Sequence, residues 1–289
     1  MTTRRVALLA PLLAALALPS ARAEGTTAAP APGDAPGAAE SSSPGPGILP
    51  PGAPRLTVDL KAAAMITGAE LGLIGLSLAF KDALVPPYCR WCEPPQIDRW
   101  ARPRLIWSNP SAANIASDAM QALVPAAAAT ALWVQAAPQG HREVAEDLVV
   151  LAESATTGIL VTQVMKYSVA RLRQDAWARR TIESRDDVLS FWSGHTSFAF
   201  TTAAAATQIA RLRGRPGWQW LAVGTFSAAA LTGYLRVAAD RHWLTDVVSG
   251  AVAGTAAGLV VPLLAFQPAG APRPLVTLAP APGGLSLLF

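Results

Sequence analysis

Three histidines and three lysines in 289 residues make the position of each one informative. Lys166 stands seven residues before Arg173, and Ser193, Gly194 and His195 follow in a row. Arg236 stands six residues before His242, and Asp246 four residues after it. Phosphoryl transfer asks for these types: fixed cations for the oxygens, a nucleophile in line, and an acid for the leaving oxygen. Lys166, Arg173 and Arg236 are the expected clamp, joined by Ser193 and the Gly194 N–H at a helix start, where unpaired N–H groups and the dipole favour anions. His242 is the candidate nucleophile. Asp246, four residues on and so on the same helix face, is expected to orient its ring and stabilise its positive charge. His195 is expected to protonate the departing alcohol and then to activate water. Taken singly these features are ordinary, since arginine pairs such as Arg171 and Arg173 near a helix end commonly form solvated or membrane-flanking clusters. Met together at three spacings, they mark a site.

The same residues resemble the type 2 phosphatidic acid phosphatase and vanadium haloperoxidase superfamily. Its pattern is Lys, six residues, Arg-Pro; then Pro-Ser-Gly-His; then Ser-Arg, five residues, His, three residues, Asp. Here Gln174 follows Arg173 in place of Pro, Trp192 precedes Ser193, and Leu235 precedes Arg236, so the departures fall on flanking positions. The likeness covers about 150–265. It implies a metal-independent phosphatase acting on a phosphomonoester or diphosphate, lipid-linked (phosphatidic acid, phosphatidylglycerol phosphate or an isoprenoid diphosphate), through a phosphohistidine. It implies no cofactor: vanadate is an inhibitor and phosphate mimic, and becomes a cofactor only in the alternative, a vanadium-dependent haloperoxidase-like enzyme. A non-catalytic envelope helical bundle is the other alternative.

All eight residues fall at helix ends, which sets what the fold must do. Strand signals are nearly absent, and the apolar periodicity predicts six helices: 57–80, 113–137, 142–171, 195–211, 217–236 and 243–266. The class is all-α, a six-helix bundle of the phosphatase and haloperoxidase kind. In an up-and-down bundle the end of the third helix, the start of the fourth, the end of the fifth and the start of the sixth share one side. Lys166 and Arg173 share a helix face if the third helix runs that far. Residues 247–266 hold twenty residues without a charge, long enough to span a bilayer. Glu70, Glu146, Asp147 and Glu153 load the first and third helices, so a soluble periplasmic bundle is the alternative to a membrane-embedded one.

A composition of 52% hydrophobic and 15% charged residues excludes a disordered chain, and a formal charge of +4 suggests a polyanionic partner. Arg4, Arg5 and Arg22, however, lie in residues 1–23, which read as a secretory signal, and its removal leaves 20 basic against 19 acidic residues. Nucleic acid is therefore not an expected partner; a phosphorylated lipid or small phosphoester, and a membrane, are. Residues 24–55 read as a Pro/Gly/Ala/Ser-rich linker, 56–266 as the helical domain, and 267–289 as a Pro-rich tail, loose rather than a hairpin. Cys89 and Cys92 are too few for a structural zinc site and lack the context of a redox motif, so a local disulfide is expected. That pair and the signal favour the inner membrane of a bacterial envelope with the site facing the periplasm. Asp240 and Arg241 read as a surface pair, and His141 is given no role.

Overall fold

The computed structural model describes residues 55–269 and the backbone of two further strands; the expected signal and nearly all of the linker lie outside the described residues. Six long helices form the bundle: α1 Leu60–Ala79, α2 Pro110–Ala136, α3 His141–Val169, α4 Gly194–Leu212, α5 Trp218–Ala238 and α6 Leu244–Ala265. Polar groups start several of them. Asp59 accepts from the N–H groups of Lys61 and Ala62, Asn109 from that of Ala112, and Asp246 reaches back to the Trp243 N–H at 3.0 Å. Short helices Lys81–Leu84, Gln96–Leu105 and Gln174–Arg179, which the sequence reading missed, lie in the connections at the end where α3 and α5 finish. At the opposite end β1 (Leu56–Thr57) pairs antiparallel with β2 (Gln267–Pro268). The tail, expected loose, forms a hairpin of β3 (Thr277–Ala281) and β4 (Gly284–Leu288), with Leu278 opposite Leu287.

The packing is reversed relative to a protein built for water. Ala203, Ala204, Ala205, Ala206, Thr201 and Thr202 of α4 fill the interior, while Leu71, Leu76, Val252, Leu263 and Leu264 face outward, more than half exposed. Large apolar side chains outside and small ones inside suit a hydrocarbon solvent, where helices gain from close backbone approach. Five helices, all except the enclosed α4, are long and apolar enough to cross a membrane. The chain is a membrane protein. Of the acids that argued otherwise, Glu70 accepts from Thr156 and Thr157, and Glu146 and Asp147 pair with Arg213 at 2.8 and 2.9 Å, while Glu153 keeps a buried carboxylate oxygen without a hydrogen-bond partner.

Two local features position the site. Gly250, Gly254 and Gly258 form a stripe on α6 against the α4 backbone at Ser193, Ser197 and Thr201, and a Cβ at any of the three would collide with a carbonyl oxygen there. This close contact sets the separation of the two helix starts that carry the histidines. The third helix, expected to run to residue 171, ends at Val169 because Ala170 turns left-handed at φ 47°. The Ala170 carbonyl accepts from Arg90 and Trp91, and the Leu172 N–H donates to Trp91. Arg171 is thereby turned inward. Lys166 and Arg173 consequently do not share a helix face: Arg173 has extended backbone and precedes the short helix Gln174–Arg179.

Candidate active site

His242 is buried, and its Nδ1 lies 2.9 Å from the Ser190 carbonyl oxygen. A carbonyl can only accept, so Nδ1 carries the proton and Nε2 the lone pair. Nε2 lies 3.4 Å from Nη1 of Arg173. Burial, and after it the nearby Arg173, Arg236 and Lys166 cations, push the imidazole well below its ordinary value. At neutral pH it is therefore an uncharged imidazole with its unprotonated nitrogen beside a guanidinium. Asp246, the expected orienting group, stands 3.7 Å from Nδ1, beyond hydrogen-bond reach. The carbonyl of Ser190 makes the hydrogen bond to the ring, and Asp246 holds that segment by accepting from the Ser190 hydroxyl at 2.5 Å.

The protonation of His242 is linked to stability. Its folded value lies below the unfolded 6.5, so the unfolded chain binds the extra proton first as the medium is acidified. The stabilisation is complete above about 6.5 and is lost as pH falls below it. Thermal unfolding of the detergent-solubilised protein is expected to show a melting temperature that drops on acidification, with a shallower drop in His242→Asn. Equal slopes in the two proteins would contradict the assignment.

The cations come from three elements. Arg173 is fixed by the carbonyls of Asp186 and Arg241, accepting at 2.7 and 3.2 Å, and burial lowers its pKa. Arg236, near the end of α5, donates to Asn114 at 2.9 Å and to Ser117 at 2.8 Å on α2. Lys166 places Nζ 3.5 Å from where a Gly194 side chain would begin, so an ammonium sits against the α4 N-terminus. Ser193 is buried there, its oxygen accepting from the Thr196 hydroxyl at 2.9 Å. The first N–H groups of α4 have no intrahelical partner, which together with Lys166 suits an anion. His195 on that first turn bonds through Nε2 to Asp118 of α2 at 2.8 Å. Burial, and next Arg236, lower the His195 pKa to about 4, against the opposing Asp118 hydrogen bond and charge.

Residues 147–268 match the family model of the PAP2 superfamily. Among curated relatives, the lipid A 1-phosphatase of Porphyromonas gingivalis is 34% identical over 93 residues, 32% of this chain; the chain spans only 18% of that protein's length. Among solved structures, a transmembrane PAP2 type phosphatidylglycerolphosphate phosphatase from Bacillus subtilis aligns at 18% identity and a TM-score of 0.41, covering 70% of this chain and 94% of the other. Of the departures from the PAP2 pattern, Trp192 donates its indole N–H to Thr162 at 2.8 Å, tying the Ser193 loop to α3. Leu235 packs with Ala113 and Ala238. Nothing in the structure explains Gln174.

Several residues of this site were not singled out from sequence. Arg171, which read as a solvated flank, is buried and bridges Asp246 at 2.5 Å and Asp98 at 2.6 Å, with its guanidinium 3.8 Å from the Trp91 ring centroid. Cys89 and Cys92 are joined, as expected, with Cα atoms 5.3 Å apart, and close the loop that carries Trp91. Asp240 and Arg241 are not a surface pair: Asp240 accepts from Nε and Nη2 of Arg102 at 2.9 and 2.6 Å, and Arg241 pairs with Asp175 at 3.3 Å. His141 opens α3 at the opposite end of the bundle from the site.

Proposed function

We propose that the chain is a lipid phosphate phosphatase that works through a phosphohistidine at His242 Nε2 and needs no metal. The observation that carries this is the neutral buried imidazole, pinned through Nδ1 to Ser190 with Nε2 beside Arg173. In the first step Nε2 attacks phosphorus, the P–O bond to the lipid breaks, and His195 gives its proton to the departing alkoxide. In the second, His195 takes a proton from water, the oxygen attacks the phosphohistidine, and the N–P bond breaks to release inorganic phosphate. Lys166, Arg173 and Arg236 supply, as side chains, the positive charge that the transferring oxygens require. The likeness to a lipid A 1-phosphatase over the motif region and the outward apolar faces support a lipid-borne phosphate. Full-length protein is expected to release phosphate from one or more of phosphatidic acid, phosphatidylglycerol phosphate, undecaprenyl diphosphate and an aryl phosphate, with chelator present, and to be inhibited by vanadate. No release from any of the four would end this reading.

The site face is read as periplasmic, because the Cys89–Cys92 disulfide lies on that side and such bonds persist in oxidising compartments. With α1 crossing, Arg55 at the opposite end is then cytoplasmic, whereas a cleaved signal at 1–23 would place it outside. An impermeant thiol reagent applied to intact cells is expected to label Arg104→Cys on the site face and to spare Arg55→Cys. The reverse pattern would turn the protein over in the membrane.

A further inference from the structure

The helices α2 and α5, which bring Asp118, Asn114 and Arg236 to the phosphate site, also border two hollows that the catalytic steps do not use. A cavity of about 520 Å³ at the site end is lined by Ser111 and Asn114 of α2 and by Asp175 and Arg241. From the middle of the two helices toward their end away from the site lies a second hollow of about 400 Å³, walled by apolar side chains including Leu123 and Ala127 of α2 and Trp220 and Gly224 of α5. Along α2 the positions Ile115, Ala119, Leu123 and Ala127 recur every four residues, so one helix face runs from the polar cavity to the apolar one. The faces are open outward: Leu123 is 59% and Trp220 79% exposed. Small residues keep the trough hollow, and a Cβ on Gly224 would meet nothing within 4 Å.

We propose that this α2/α5 groove holds the hydrocarbon chain of the lipid whose phosphate sits at His242, with the polar part next to the phosphate in the cavity beside Asn114. The inference rests on the phosphatase reading and adds a route and a selectivity: the lipid enters sideways from the bilayer between α2 and α5, and the groove favours long chains. The polarity along the pair matches one amphiphile. Cations and hydrogen-bonding groups stand at the site end, and hydrocarbon surface continues from there within two helices apolar enough to span. A second copy of the chain would find the apolar half but would have no use for the polar cavity at the site end.

Filling the groove tests the assignment. Gly224→Phe adds a ring where there is open space, Ala127→Phe does the same from the opposite wall, and Val252→Phe on the outward face of α6 is the control. With full-length protein in mixed micelles, each groove variant is expected to lower kcat/KM for a long-chain phosphatidic acid by about tenfold or more, the scale of lost contacts in an apolar pocket. Hydrolysis of a short-chain phosphatidic acid and of a soluble aryl phosphate is expected to stay near wild type, as is every activity of the control. Unchanged long-chain activity, an equal loss on all three substrates, or a changed oligomeric state without chain-length selectivity would overturn the groove as a chain site. If wild type releases phosphate from none of the three, the phosphatase reading itself fails, an outcome distinct from any groove result.

Discussion

Replacing His242 with alanine is expected to lower hydrolysis of an aryl phosphate by about a thousandfold or more, the scale seen when a covalent nucleophile is removed from a unit of cooperating residues. The reason lies in the ring's surroundings. Three cations lie near it and burial keeps it neutral, so the lone pair on Nε2 stands beside Arg173, where a bound anion would be attracted. The Ser193 oxygen, by contrast, is engaged by Thr196 and fixed in the α4 cap. His195→Ala separates the roles. An aryl oxide leaves without an acid, so this variant is expected to form the phosphohistidine at near-normal rate from an aryl phosphate and to stall at its hydrolysis. A burst of phenol followed by slow turnover, with label from radioactive phosphate retained on the protein, is the expected signature. An alkyl phosphate, which needs the acid, is expected to lose the first step as well. His242→Ala with full activity would remove the nucleophile from the mechanism altogether.

The parts of this site that could be read from residues alone were those set by local spacing. Six apolar runs predicted the helices to within a few residues, since helix length and period are local properties, and the three motif segments then had to share an end. What could not be read was made by chain crossings. Arg171 is buried because residues 90–91 bond to 170–172 across some 80 positions. No spacing rule relates those segments, so a guanidinium two residues before Arg173 looked like surface. The group holding Nδ1 of His242 is a backbone carbonyl, and carbonyls leave no mark in residue types. Asp118 was hidden for a different reason: its only local partner is the neutral Asn114 one turn earlier, and the charged groups it meets, His195 and Arg236, belong to other helices. The stripe Gly250, Gly254 and Gly258 was visible at its four-residue period, but only the approach of α4 gives it meaning.

Arg171 carries the largest expected effect outside the reacting groups. Its guanidinium touches Asp98 through Nη2 and both Asp246 and Thr245 through Nη1, under the face of Trp91, and Asp98 also accepts from the Thr245 N–H and hydroxyl. One cation thus compensates two fully buried carboxylates. Arg171→Met leaves both without their counter-ion, and breaking a buried pair in this way costs about 3–5 kcal/mol. The loss reaches catalysis because Asp246 positions the Ser190 segment whose carbonyl aims the His242 ring. Thermal unfolding in detergent is expected to fall markedly in Arg171→Met, with phosphate release falling as well. Arg171→Lys is expected to recover little, since a single ammonium cannot span both carboxylates as the planar fork does. The compensating change is more telling: adding Asp98→Asn to Arg171→Met removes one of the two stranded charges and is expected to restore part of the melting temperature, although Asp98→Asn alone lowers it. Simple additivity of the two losses would show that Arg171 and Asp98 act independently, and that the buried pair is not what holds Asp246 beneath the nucleophile.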